Sequence, residues 1–149
     1  MRTADVRAIK WDGGGVVACL AADIGLEAGS ASAMQALVEQ GATVVLEGGT
    51  NVVGAFRRVS DAIRAVAALR SVLAPGARIG LSCGETNRGG EFSAVADQAS
   101  RLVREALPGR TLLSKVAANF AVDHLGRDRR LCEHDSTFEL VELRTAVAS

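Results

Sequence analysis

Apolar residues in this chain occur in short blocks separated by glycine, proline and polar residues, and the spacing within each block predicts its structure. Residues 15–21, GVVACLA, form a continuous apolar run of strand length, which indicates a central strand buried on both faces. Residues 43–56, TVVLEGGTNVVGAF, contain two β-branched runs joined by Gly-Gly, which predicts a hairpin. Further strands are predicted at 77–85, 110–114 and 138–143.

Four other segments repeat apolar residues at the helical spacing of three to four. They are residues 30–41, 60–76, 93–107 and 115–122. Ser30 or Ser32 can cap the first helix, and Gly41 ends it. Ser60 can cap the second helix and Ser114 the fourth, while two Pro-Gly pairs end the second and third. The residues predicted to face inward are Met34, Leu37, Val38, Ile63, Val66, Ala67, Leu73, Val95, Ala99, Leu102, Val103 and Ala106.

The order of these elements predicts an α+β protein with a ferredoxin-like βαββαβ core and extra C-terminal strands. We expect a mainly antiparallel sheet with helices on one face. A single domain would span residues 1–149, with a leader at 1–14 and a tail at 144–149. Residues 126–135, GRDRRLCEHD, are predicted to form a charged connection.

Composition excludes several functions. The chain has 17 basic and 17 acidic residues and only 3% aromatic residues. Because there is no net positive field and few rings for bases to stack on, we expect no nucleic-acid partner and no membrane partner. Cys19, Cys83 and Cys132 are far apart and lack a zinc-ligand spacing, so we expect reduced thiols in a cytoplasmic protein.

Four segments together resemble one enzyme family. LAADIG is an apolar strand ending in Asp-Ile, GGTNVVGAF is a glycine hairpin, and RIGLSCGE is a strand ending in Gly-Glu. ADQASRLVREALPGRTLLS is a helix followed by Pro-Gly and a strand ending in Ser. In this order they resemble the catalytic domain of class III nucleotidyl (adenylate/guanylate) cyclases, in a divergent and shortened form, over about residues 16–143.

The resemblance implies a cyclase-like sandwich whose site is shared between two chains. It therefore implies a homodimer, or pairing with another cyclase-like chain, and ATP or GTP as the ligand. In that family two aspartates from adjacent strands bind Mg²⁺ or Mn²⁺. A lysine and an aspartate read the base, and an asparagine and an arginine orient the ribose and stabilise transition-state charge.

The metal positions are only half retained. Asp23 matches the first metal aspartate, whereas the second falls on Thr50. A threonine hydroxyl is a neutral ligand and does not replace a carboxylate in holding two cations. Thr50 and the adjacent Asn51 could hydrogen-bond a nucleotide, or they could satisfy the backbone of their own turn. Asp23 could likewise stabilise the turn that follows it.

The remaining family positions are also altered. The two base-reading positions fall near Leu46 and Gly90, neither of which can read a base with its side chain. The asparagine position falls on Asp97, whose charge would repel a triphosphate, and Arg101 matches the transition-state arginine. Arg101 and Asp97 are thus the candidate catalytic residues, with Arg101 also a nucleotide-binding candidate. Alternatively, Arg101 forms an intrahelical salt bridge with Asp97 or Glu105.

Three functional hypotheses follow. The first is a catalytically degenerate cyclase-like domain that acts as a dimerising regulatory or nucleotide-binding module. The second is a divergent active cyclase in which Asp97 or Glu47 supplies the missing carboxylate. The third is a ferredoxin-like protein-interaction domain of another origin.

Overall fold

The computed structural model describes residues 15–24, 30–48, 51–86, 92–127, 129–134 and 137–142. The strands are β1 Val16–Asp23, β2 Val44–Gly48, β3 Asn51–Phe56, β4 Ile79–Glu85, β5 Thr111–Ser114, β6 Arg129–His134 and β7 Thr137–Glu142. The helices are α1 Ser30–Glu39, α2 Val59–Val72, α3 Ser93–Glu105 and α4 Lys115–Ala121, and a short 3₁₀ turn at Val122–His124 follows α4. The predicted leader and tail lie outside the described residues, as do residues 49–50 and 87–91.

The strands form one sheet in the order β2-β3-β1-β4-β5-β7-β6. Every neighbouring pair is antiparallel except β4 and β5, which are parallel. The first four strands, with α1 and α2 as their crossovers, form the predicted ferredoxin-like βαββαβ unit. The predictions of an α+β fold, a mainly antiparallel sheet and additional C-terminal strands are therefore confirmed.

The central strand β1 is buried on both faces, as its continuous apolar run predicts. Ala18, Leu20 and Ala22 belong to a core cluster with residues of α1, α2 and α4. The alternate residues, Val17 and Cys19 among them, pack with residues of α3. The expectation of helices on one face only is therefore wrong, because a strand that is apolar at every position needs cover on both sides.

Helix α3 lies unusually close to the sheet because β4 carries a glycine beneath it. A Cβ added at Gly80 would lie 2.4 Å from the carbonyl oxygen of Ala99 and 2.8 Å from Cβ of Leu102. The absence of a side chain at position 80 therefore lets the helix backbone approach the strand. The predicted inward residues of α3 are all buried, namely Val95, Ala99, Leu102, Val103 and Ala106.

Two predictions about helices are corrected and one is confirmed. Helix α2 begins one residue before Ser60, and its N-cap residue, Arg58, makes no capping bond through its side chain. On α1, Leu37 is buried but Val38 is 57% exposed, because Ala33 and Ala36 form the inward face with Leu37. Ser114 does cap α4, since its Oγ accepts a hydrogen bond of 3.1 Å from the backbone N–H of Ala117.

Two predictions about strands are also corrected. The charged segment at 126–135 contains β6, an edge strand that pairs with β7 along its whole length. The strand NVVGAF is not left open for a partner: Val52, Ala55 and Phe56 are at most 1% exposed within one chain. No helix in the described part of the chain is long and apolar enough to cross a membrane.

Candidate functional site

The end of β1 and the β2–β3 hairpin lie side by side in the sheet. Asp23 is the last residue of β1, and its backbone N–H donates a 3.0 Å hydrogen bond to the carbonyl oxygen of Arg78. The strand register places Asp23 opposite Asn51, and Asn51 opposite Gly48. Asn51 directly follows Thr50 in the chain, so the register brings the first residue of β3 to the end of β1 that carries Asp23.

The structure describes only some of the other predicted site positions. Thr50 and Gly90 lie outside the described residues. Leu46 and Glu47 belong to β2, where Glu47 pairs with Val52. Because Val52 pairs in turn with Ala22, Glu47 occupies the neighbouring row of the sheet and not the row of Asp23.

The other two predicted site residues lie on α3. Asp97 and Arg101 are one helical turn apart, and both are exposed. Arg101 forms no ion pair with Asp97 or Glu105, although the structure describes both carboxylates. The intrahelical salt bridge offered as an alternative role for Arg101 is therefore wrong.

Arg101 instead lines a cavity between α3 and the start of α4. The cavity has a volume of about 250 Å³. Its lining residues are Gln98, Arg101, Leu102, Glu105, Ser114, Lys115, Val116 and Thr137. Neither Asp23 nor Asn51 lines it, so within one chain the structure brings Asp23 and Asn51 together but places Arg101 in a separate cavity. We call it the α3–α4 cavity.

A buried hydroxyl holds one wall of the α3–α4 cavity in place. Ser82 of β4 is 0% exposed, and its Oγ donates a hydrogen bond to Oε1 of Gln98 on α3. The amide oxygen of Gln98 is thereby turned toward the sheet, and its NH₂ group remains as a donor. On the opposite wall, Ser114 is 4% exposed and accepts the capping bond from α4, which leaves its hydroxyl proton to donate.

A second cavity, of about 510 Å³, lies between α2, β5 and β7. Its polar wall is formed by internal contacts: Arg70 donates to Oγ1 of Thr111 at 2.9 Å, and Arg110 forms an ion pair with Glu139. Arg70 thereby joins α2 to β5, and Arg110, the residue before β5, is joined to β7, so this wall serves the packing of the sheet and of α2 against it.

Cys19 and Cys83 are not reactive groups of a site. Burial raises the pKa of the Cys83 thiol to about 12, and burial together with the nearby Cys83 raises the pKa of the Cys19 thiol well above its usual range. Both therefore remain neutral thiols at physiological pH. Cys83 packs with the core on the α1–α2 face and Cys19 with α3, and all three cysteines are free.

Among the described residues, the donors near Asp23 do not fit a pair of divalent cations. The part of the chain that the structure describes contains no group of three His, Cys, Asp or Glu side chains that could hold a metal ion. Beside Asp23 the register offers the amide of Asn51, a neutral donor, where the resembling family presents a second carboxylate. We therefore derive no chemical step through a metal.

Gln98 and Lys115, two polar residues of the α3–α4 cavity, were not among the candidate site residues predicted from the sequence. Gln98 lies between Asp97 and Arg101, and Lys115 directly follows the capping Ser114. The sequence signal that could have found Lys115 is its position at the junction of β5 and α4, because residues at the carboxyl end of a strand often line a site. Nothing local in the sequence shows that this junction lies beside Arg101.

Solved structures of adenylate and guanylate cyclases superimpose on most of this chain. An adenylate/guanylate cyclase/hydrolase from Silicibacter pomeroyi superimposes with a TM-score of 0.64 at 17% identity, covering 88% of this chain and 98% of that chain. The guanylyl cyclase domain of the RhoGC fusion protein from Blastocladiella emersonii, a double mutant, gives a TM-score of 0.64 at 13% identity, covering 89% and 97%. The adenylyl cyclase CyaB from P. aeruginosa gives 0.62 at 13% identity, covering 89% and 95%.

No protein-family model matches the sequence, and no curated protein matches it significantly. At these identities the structural likeness establishes the fold and leaves the chemistry to the residues. The superpositions extend over most of this chain and nearly all of each neighbour. This chain therefore has the fold of the class III adenylate/guanylate cyclase catalytic domain.

Proposed function

We propose that this chain is a catalytically degenerate cyclase-like domain that dimerises in the cytoplasm and serves as a regulatory or nucleotide-binding module. The observation that carries the proposal is the register of β1 and β3. Asp23 lies opposite Asn51, beside the hairpin turn, as the resemblance to a metal hairpin requires. This register supports the proposal that the chain keeps the scaffold of a two-aspartate site in which Thr50 replaces the second carboxylate.

The separation of Asp23 from Arg101 supports a dimer. In the resembling family the site is completed by an arginine of the second chain, so one chain need not bring the two residues together. Among the structural neighbours, the guanylyl cyclase domain of RhoGC forms a non-canonical dimer in one crystal structure and is monomeric in two others, and a rhodopsin-guanylyl cyclase core is in complex with ATPalphaS. A head-to-tail pair of this chain would place the Arg101 cavity of one copy against the Asp23 edge of the other.

The second candidate function is a divergent active cyclase. It needs a carboxylate beside Asp23, and the two candidates for it are Glu47 and Asp97. Glu47 occupies the adjacent row of the sheet, and Asp97 is exposed on α3, in the part of the helix where the next residue, Gln98, bonds to Ser82 of β4. Both positions favour the degenerate domain over the active one. A plain ferredoxin-like interaction domain accounts less well for the retained Asp23 and Arg101.

The test is turnover. Purified protein is incubated with ATP or GTP and Mn²⁺, and cyclic nucleotide is measured beside a control without protein. We expect no product, because a lost metal carboxylate removes several kcal/mol of transition-state stabilisation and about 1.4 kcal/mol corresponds to a tenfold change in rate. Metal-dependent product that co-elutes with the protein in gel filtration and disappears in Asp23→Ala would establish the active-cyclase alternative instead.

A further inference from the structure

The α3–α4 cavity carries two positive charges and one negative charge in its lining. Arg101 and Lys115 both line it, one from α3 and one from the first position of α4. Neither cation forms an ion pair with any residue that the structure describes. Glu105 is the acidic residue in the lining, so the lining has a formal net charge of +1. The cavity therefore attracts an anion.

The cavity also presents neutral donors that are fixed in orientation. Gln98 is held through its amide oxygen by the fully buried Ser82, which leaves the NH₂ group to donate. The Ser114 hydroxyl accepts from the backbone of α4 and keeps its proton for a further acceptor. Two cations and two fixed donors around one space form a set suited to a ligand with several anionic oxygens.

The size of the cavity limits which ligands it can hold. Its volume of about 250 Å³ lies below the range of roughly 300–1,000 Å³ that is usual for sites enclosing a drug-sized molecule. The cavity thus suits a charged group of a larger ligand better than a whole nucleotide. Apolar lining comes from Leu102 and Val116 only, which offers no flat surface for a base.

We propose that the α3–α4 cavity binds an oligophosphate chain, with Lys115 and Gln98 as ligand-binding residues beside Arg101. The affinity for phosphate groups is inferred from the cavity of one chain. That the phosphate chain belongs to a nucleoside triphosphate rests on the proposed function. Lys115 supplies a point charge and Arg101 a planar guanidinium, which can contact successive phosphate groups. Gln98 donates from the side of α3, between them.

Stabilisation of α4 alone would favour an acidic or neutral residue at position 115 and not a lysine. Lys115 is the first residue of α4, and a positive charge is disfavoured at the start of a helix. The first turn of α4 contains no acidic residue that would offset it. The lysine is therefore better explained by what it contacts in the cavity than by stabilisation of its own helix.

The experiment is isothermal titration calorimetry of the full chain in chelator at low ionic strength, with tripolyphosphate and ATP as separate ligands. Wild type is compared with Lys115→Ala and Gln98→Glu. The glutamate keeps an acceptor for Ser82 and replaces the NH₂ donor by an oxygen. Arg104→Ala is the matched control, since Arg104 is an exposed cation of the same helix outside the cavity lining. Thermal melts establish that each variant is folded.

We expect both ligands to bind wild type and Arg104→Ala alike, and both cavity variants to bind at least about tenfold more weakly. Tripolyphosphate binding without ATP binding would also support the cavity, with a free phosphate chain as its source. The inference is overturned if wild type does not bind tripolyphosphate, if the cavity variants bind normally, or if Arg104→Ala weakens binding as much as Lys115→Ala. These outcomes are independent of cyclic nucleotide formation, which tests the proposed function alone.

Discussion

At position 50 this chain has a hydroxyl where the resembling metal hairpin has a carboxylate, and we propose that this one substitution removes the metal site. The neighbouring residue, Asn51, lies opposite Asp23 in the sheet. A carboxylate introduced at position 50 would therefore enter the turn beside the end of β1. Two carboxylates in such proximity repel one another unless a cation lies between them.

We predict that Thr50→Asp creates a divalent-cation site with Asp23. In chelator the variant should melt at a lower temperature than wild type because of the repulsion between the two carboxylates. Mn²⁺ should reverse the loss, since a ligand that binds only the folded state adds about 2.7 kcal/mol to the free energy of unfolding at a hundredfold excess over Kd. Thermal melts with chelator and with Mn²⁺ measure both effects.

The control for this prediction is Thr50→Asn, which changes the side chain without adding charge, and it should respond to Mn²⁺ as wild type does. The double variant with Asp23→Asn should lose the Mn²⁺ effect. Equal stabilisation of wild type and Thr50→Asp by Mn²⁺ would show that positions 23 and 50 do not face one site, and the alignment of the hairpin to the metal hairpin would be mistaken.

At the scale of elements, the contact between α3 and β4 holds the cavity together. Gly80 permits the close approach of the helix backbone, and Ser82, two residues along the same strand, bonds to Gln98 on the helix. The close packing at Gly80 and the Ser82–Gln98 hydrogen bond therefore both hold α3 against β4. A shift of α3 would move Gln98 and Arg101 together.

We predict that Gly80→Ala destabilises the protein by about 1–3 kcal/mol, because the added Cβ would overlap the carbonyl of Ala99 and displace the helix. Urea unfolding should show a lower midpoint with an unchanged slope. Gly76→Ala is the matched control, since a Cβ there meets nothing within 4 Å and its φ is not positive. If the two alanine variants unfold at the same urea concentration, α3 does not pack on β4 as described.

At the scale of the whole molecule, the candidate site residues lie in two places. Asp23 and Asn51 mark one edge, and Arg101 with Lys115 marks the α3–α4 cavity. Since the apolar strand NVVGAF is covered within one chain, it supplies no reason for dimerisation. The proposed dimer rests instead on the separation of Asp23 from Arg101, since a second copy could bring the two residues together.

We predict that the chain is a dimer at about tens of micromolar, the range in which an interface of standard size is occupied. Sedimentation velocity over a concentration series measures the oligomeric state directly. A species with the mass of one chain across the whole series would contradict the dimer. It would leave the fold and the oligophosphate site unaffected, because both belong to a single chain.

Local pattern in the sequence was sufficient to place most helices and strands. Periodicity of apolar residues is a short-range property, so the inward face of α3 and the cap at Ser114 were predicted correctly. The segment that became β6 was missed because its residues are mainly charged, and only pairing with β7 makes it a strand. Edge strands tolerate charge, since one side of them faces no neighbour.

What the sequence determined by itself is the chemistry available: one carboxylate at position 23, a hydroxyl at 50 and cations at 101 and 115. What only the tertiary structure decided is which of these groups meet. Strand pairing places Asp23 opposite Asn51, and the parallel pairing of β4 with β5 brings Lys115 to the helix that carries Gln98 and Arg101. These contacts join residues distant in sequence, and such contacts depend on how the whole sheet and its helices pack, which no local pattern encodes.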